Sequence, residues 1–159
     1  MMSKRRKPIK DRLKDAVENI SADIFGYEKK ITGNIIHYLE KAGKKEGVLY
    51  EHLRVGIGRH QDSVRIFLYH NGRRLKEVPV KELVEFFAGK GADLLRIESK
   101  VVRGVVGYMD GFSRFHELPH QNLQVFISAE GSKVAVKAFD DTRYIKDIPV
   151  KDLIKYFKP

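Results

Sequence analysis

Residues 75–87 read LKEVPVKELVEFF, and residues 145–157 read IKDIPVKDLIKYF. Six of the thirteen aligned positions are identical. Six more are conservative exchanges: Leu75/Ile145, Glu77/Asp147, Val78/Ile148, Glu82/Asp152, Val84/Ile154 and Phe86/Tyr156. Only Glu85/Lys155 changes chemical character. A match of this length at a fixed offset points to an internal duplication.

Each copy has the same local physics. Leu75–Val78 is a short extended run, and Pro79 fixes its own φ while pushing Val78 toward an extended conformation. Proline also suits the first turn of a helix, and apolar residues follow at Val80, Leu83, Val84 and Phe87. Glu82 falls near the positive end of that helix. The second copy repeats the pattern with Ile145–Ile148, Pro149, then Val150, Leu153, Ile154 and Phe157. Each copy thus predicts a last strand that turns directly into an amphipathic helix, and both helices need a sheet to cover.

Upstream of each copy the sequence alternates. Val48–Ile57 is strand-like, and Asp62–His70 places Val64, Ile66 and Leu68 on one face with Ser63, Arg65, Phe67 and Tyr69 on the other. Asn71-Gly72 is a type I′ hairpin signal leading into Arg73–Val78. After a joint at Gly89–Gly91, Asp93–Ser99 and Val101–Tyr108 are read as a hairpin and Asp110–Gln121 as a polar, aromatic loop. Asn122–Ser128, Lys133–Phe139 and Arg143–Ile148 are read as strands before the last helix, so the second copy is expected to hold one more strand between its His120-Gln121 pair and its helix than the first holds after His60-Gln61.

The N-terminal region differs. Met1–Pro8 is a basic tail, expected to be unstructured when free. From Ile9 the apolar residues Leu13, Val17, Ile20, Ile24, Tyr27, Ile31, Ile35, Tyr38 and Ala42 recur every three or four positions, one stripe over about eight turns. Ser21 and Asp23 resemble caps, so a break near residues 20–23 competes with one long rod. The stripe either packs on the protein's own sheet or forms a homodimer through Leu13–Tyr38. The expected fold is therefore α+β: two β-meander–helix repeats forming an antiparallel sheet with helices on one face, related by a pseudo-two-fold and preceded by a helical arm. The boundaries are 1–46 for tail and arm, 47–91 for the first repeat and 92–159 for the second. In layout, residues 48–159 resemble the PUR-repeat and Whirly single-strand binders; no family motif maps onto particular residues.

Composition narrows the function. The 159 residues include 31 Lys and Arg against 21 Asp and Glu, for a formal charge of +10. Half of that excess lies in Lys4, Arg5, Arg6, Lys7 and Lys10. A basic balance favours polyanionic partners, nucleic acid before membrane. Cysteine is absent, which excludes disulfides and thiolate metal sites. No apolar run approaches the roughly 20 residues of a membrane span, and no secretory leader is evident, so a cytoplasmic protein is expected.

Motifs for catalysis are weak. His116-Glu117-Leu118-Pro119-His120 matches the H-E-x-x-H zinc pattern, but Pro119 would break the helix that this pattern requires. Gly56-Ile57-Gly58 lacks the third glycine and the following helix of a dinucleotide loop, and Gly58–Gln61 is read as a tight connection. No metal site and no cofactor are expected, and an enzyme reading would fall back on Asp62, Glu77, His60 or His120.

The more specific signal is aromatic and basic side chains interleaved on one sheet face, a pattern suited to single-stranded DNA or RNA. The residues expected to bind are Arg5 and Arg6 in the tail, and Arg54, Arg59, Arg65, Phe67, Tyr69, Arg73 and Arg74 in the first repeat. In the second they are Phe112, Arg114, Phe115, Phe126, Lys133 and Lys137. Packing of Phe67, Tyr69 and Phe126 beneath the N-terminal helix is the competing expectation. The alternative function is a protein-interaction module that oligomerises through that helix with no nucleic-acid role.

Overall fold

The computed structural model describes the backbone of residues 9–61, 63–82, 84 and 94–152, and the side chains of residues 26, 28–61, 63–82, 84 and 99–152. The basic tail with Arg5 and Arg6, Asp62, and the stripe residues Leu13, Val17, Ile20, Ile24 and Tyr27 as side chains lie outside this description.

The chain begins with one continuous helix, α1 (Ile9–Glu46), about 57 Å long at 1.5 Å per residue. A single rod, not two helices, is the outcome of the competition at residues 20–23. A 3-10 turn at Tyr50–His52 leads into β1 (Leu53–His60), followed by β2 (Ser63–His70) and β3 (Arg73–Val78). Asn71 and Gly72 both have positive φ, 49° and 83°, as the type I′ turn requires. Helical backbone starts directly after Pro79, whose carbonyl accepts from the Glu82 N–H at 3.0 Å. A second helix, α2 (Leu94–Phe115), and a 3-10 turn at His120–Asn122 precede β4 (Leu123–Glu130), β5 (Lys133–Asp140) and β6 (Arg143–Asp147). Pro149 repeats the role of Pro79, accepting from Asp152 N–H at 2.9 Å.

The six strands form one open antiparallel sheet in the order β3-β2-β1-β4-β5-β6. The two meanders join where β1 pairs with β4, in a register that sets Arg54 opposite Ser128, Gly56 opposite Phe126 and Gly58 opposite Gln124. Both outer pairs carry a register shift, between Leu68 and Tyr69 and between Ala138 and Phe139. Bulges at sheet edges twist the edge strand and discourage further strand addition.

Alternation explains the layering. Leu53, Val55, Ile57, Val64, Ile66, Leu68, Leu123, Val125, Ile127, Val136 and Ala138 turn to one face and are all buried. Two helices cover that face. α1 contributes Ile31, Ile35, Tyr38 and Leu39 and packs on β4 and β5. α2 contributes Val101, Val105, Met109 and Phe112 and packs on β2. Each helix therefore lies on strands that are not the ones directly following it. Tyr38 also donates its hydroxyl hydrogen to Glu82 at 2.7 Å, tying α1 to the helical turn after β3.

Two expectations need correction, the hairpin and the Gly58–Gln61 connection. The hairpin over Asp93–Ser99 and Val101–Tyr108 is instead the helix α2 from Leu94 on, which also takes in the first half of the supposed loop Asp110–Gln121. The reason is the four-residue spacing of Val101, Val105 and Met109, which puts them on one helical face against the sheet. Three strands, β4, β5 and β6, follow His120-Gln121 and two, β2 and β3, follow His60-Gln61, the difference expected from the sequence. Gly58–His60 are part of β1, and the connection to β2 lies at Gln61, φ 53°. Of the stripe expected either to pack on the protein's own sheet or to form a dimer, Ile31, Ile35 and Tyr38 are buried in the protein's own core. Among the described residues no helix is long and apolar enough to cross a membrane.

Candidate nucleic-acid interface

The opposite face of the sheet has no helix packed on it among the described residues. Its side chains follow from the strand registers. Across the centre, one row runs Glu77, Phe67, Gly56, Phe126, Lys137 and Asp147. The next row holds Arg65, Gly58, Gln124, Phe139 and Tyr144, and the row on the other side holds Arg74, Tyr69, Arg54, Ser128 and Ala135.

The aromatic members touch in sequence. Tyr69 meets Phe126 at 5.3 Å between centroids, Phe126 meets Phe139 at 5.3 Å, and Phe139 meets Tyr144 at 5.7 Å. All three pairs are T-shaped, with interplanar angles of 70°, 90° and 71°. Such pairs are each worth about 0.5–1.5 kcal/mol beyond their buried area, and each uses the face of only one of its two rings. Phe67, Tyr69, Phe126 and Phe139 are half-buried and Tyr144 is 50% exposed. A core role beneath α1 is thereby excluded for Phe67, Tyr69 and Phe126, since α1 lies on the other side of the sheet.

Guanidinium groups are laid over these rings. Arg74 stands 3.7 Å from the Phe67 centroid and 5.8 Å from that of Tyr69. Arg65 is 5.0 Å from Phe67, and Arg54 is 4.9 Å from Phe126. A cation over a ring contributes about 0.5–1 kcal/mol at exposed sites. Gly56 makes the central packing possible: a Cβ there would sit 2.8 Å from both Phe126 Cε1 and Tyr69 Cε2.

Several acidic side chains interrupt the cations: Asp147 shares the central row, Glu130 lies 3.8 Å from Lys137, and Glu77 is bonded to Arg65. Glu77 accepts two hydrogen bonds from Arg65, Nε to Oε1 at 3.1 Å and Nη2 to Oε2 at 3.3 Å. That bond is the largest cause holding the Glu77 carboxyl below its ordinary value; desolvation opposes it, and the charges of Arg65, Arg74 and His60 add to it. The same bond raises the Arg65 guanidinium. A carboxyl lowered in the folded state keeps its pair above the ordinary carboxylate range and loses it only as pH falls through the lowered value. At neutral pH Arg65 is therefore tethered to Glu77. At the far edge Tyr144 donates to Asp147 Oδ1 at 2.6 Å, which raises its phenol and keeps it neutral.

The sequence-predicted residues divide between the layers. Arg54, Arg65, Phe67, Tyr69, Arg74, Phe126, Lys133 and Lys137 share the uncovered face, by strand alternation and register. Arg73 is exposed at the β2–β3 hairpin. The other four belong to the helix side. Arg59 follows Leu53, Val55 and Ile57 in alternation and pairs with Asp110 of α2 in a short ion pair, fastening that helix to the end of β1. Phe112 is 9% exposed and belongs to the core, so its expected role at a binding surface is corrected. Arg114 and Phe115 are exposed near the end of α2, away from the sheet's uncovered face. Gly56, Gly58, Gln124, Phe139 and Tyr144 share the same face; alternation along the sequence already sets Gln124 and Phe139 beside Phe126 and Lys137, while Gly56, Gly58 and Tyr144 were missed.

Of the enzyme fallback residues, Asp62 lies outside the described residues, and the charge of His60 acts on Glu77. Glu77 is paired with Arg65, His60 ends β1 and His120 opens the second 3-10 turn. α2 stops at Phe115, so His116 and His120 do not share a helical face, and the His116 ring instead packs 4.2 Å from that of Phe112. Among the described residues no group of three His, Asp or Glu could hold a metal ion. Comparison of the chain with protein-family models, with curated proteins and with solved structures found no match in any of the three.

Proposed function

We propose that the protein binds single-stranded nucleic acid, DNA or RNA, across the uncovered face of its sheet. The observation that carries this reading is the ladder Tyr69–Phe126–Phe139–Tyr144, half-buried and flanked by Arg54, Arg65, Arg74 and Lys137, on a face with no helix over it among the described residues. Rings and flat guanidinium planes stack on bases of any sequence, and the cations follow the phosphates. An extended β face of this kind engages splayed bases, whereas a duplex keeps its bases stacked inside. The basic tail with Arg5 and Arg6 adds charge along the same strand of nucleic acid.

The face is built by a duplicated unit that begins inside α1 and recurs 70 residues later. Its support is the pairing of Ile31, Ile35, Leu39 and Ala42 with Val101, Val105, Met109 and Phe112, and of Leu53 with Leu123. The two edge bulges also correspond, and the β1–β4 register is symmetric about Gly56 and Phe126. A pseudo-two-fold through that pair would make one continuous face from two meanders.

Glu77→Gln tests this reading. It removes the one acidic group bonded to an Arg on the face and frees Arg65 for phosphate. Affinity for an oligonucleotide is expected to rise about threefold or more, with the slope of log K against log salt steeper by about 0.7. Unchanged affinity and slope, measured by anisotropy across a salt series, would place the binding surface elsewhere.

A further inference from the structure

β1 carries two glycines on the uncovered face, and only one has a packing reason. Gly56 lies under the rings of Tyr69 and Phe126. Gly58, two residues on, has nothing within 4 Å of where a Cβ would stand. Its φ is not in the left-handed region, so the backbone does not require glycine either. Yet glycine is unfavourable in the interior of a strand, and β1 is central, paired on both sides at this position. Glycine in a strand with no backbone reason marks a place where something else approaches closely.

The space that Gly58 leaves is a hollow of about 190 Å³. Arg65 stands across from Gly58 on β2 and Gln124 across from it on β4. Phe67, Arg74 and Gln121 also line it, beside Arg59, His60 and Tyr69. Cations and a ring on one side, carboxamides on the other, suit a flat heterocycle that stacks on one wall and hydrogen-bonds by its edge to the other. A carboxamide offers a donor and an acceptor together, as base edges do.

Resting on the reading that this face binds single strands, we propose that the hollow over Gly58 seats one unstacked nucleobase, with Gln124 facing its edge. The hollow distinguishes a base from the bare backbone, which needs only the surrounding cations.

Gly58→Val fills the hollow without touching any charge. A strand favours valine and no atom obstructs its Cβ, so the thermal midpoint is expected to hold or rise. The probes are a thymidine 12-mer and a fully abasic 12-mer of the same charge. Gly58→Val is expected to weaken binding of the thymidine oligomer about tenfold and leave the abasic one unchanged. Equal affinity of the variant and the parent for the thymidine oligomer would overturn the seat while leaving the face as the binding surface. An equal loss on both probes would overturn it too, since the effect would then be on the backbone path. Parent protein that binds neither probe overturns the proposed function itself. Gly58→Ala, with a smaller loss of the same selectivity expected, decides the matter if the valine variant does not fold.

Discussion

A fragment ending at Ala92 is expected to show no cooperative unfolding, and so is the complementary fragment from Asp93. Ile31, Ile35 and Leu39 of α1 are completely buried, and α1 packs on β4 and β5, which belong to the second half. Conversely α2, from the second half, packs on β2 of the first. Cutting the chain removes Leu123, Val125, Ile127, Val136 and Ala138 from beneath one helix and bares the β1 edge that pairs with β4. Each half would be a small unit without a closed core, the size range in which burial barely offsets chain entropy. Circular dichroism during urea titration measures this directly. Mixing the two fragments is expected to restore a cooperative transition. A monomeric first half that unfolds cooperatively would mean that the interlocked packing is not what holds the fold.

Phe126→Ala is expected to weaken binding of a single strand by about 5- to 150-fold, the equivalent of losing roughly 1–3 kcal/mol of stacking. Phe126 is the centre of the ladder, in contact with Tyr69, Phe139 and Arg54 and lying over Gly56. Its removal takes away a stacking surface and releases the guanidinium laid over it. Because the ring is half-buried on the face opposite the helices, the hydrophobic core is untouched. The far-ultraviolet spectrum should therefore match that of the parent. Isothermal titration with an oligonucleotide, set beside thermal melts, separates the two effects. Full affinity in a folded variant would remove the ladder from the binding surface, and global unfolding would make Phe126 a structural residue.

The strands were legible in the sequence wherever alternation met a turn signal. Val64, Ile66 and Leu68 against Arg65, Phe67 and Tyr69, closed by Asn71-Gly72, define β2 and its hairpin without further information. Pro79 and Pro149 likewise set where helical backbone begins. α2 was not legible in the same way. Its Val101-Val102 and Val105-Val106 pairs and its glycines favour a strand locally, because β-branched residues lose side-chain freedom in a helix. Burial of every fourth residue against the sheet overrides that preference, and only the longer period of Val101, Val105, Met109 and Phe112 records it.

Missing α2 also left the functional face ambiguous. Alternation assigns residues to two faces but does not say which is covered. With the N-terminal helix free to lie on either face, Phe67 and Phe126 fitted either side equally well. The second helix, packed with α1 on the aliphatic face, leaves the aromatic one uncovered among the described residues. Gly58 was misread for a related reason: a G-x-G sequence suggests a turn, and only the β1–β4 pairing puts it in the middle of a sheet.

The most direct measurement is the affinity of nuclease-treated protein for labelled single-stranded DNA, RNA and duplex DNA at about 50 and 200 mM salt. The account predicts a preference for single strands. It also predicts a loss of about 20- to 130-fold between the two salt concentrations, as expected for roughly three to five phosphates neutralised. Equal or tighter binding of the duplex, or no binding at the lower salt, would contradict it.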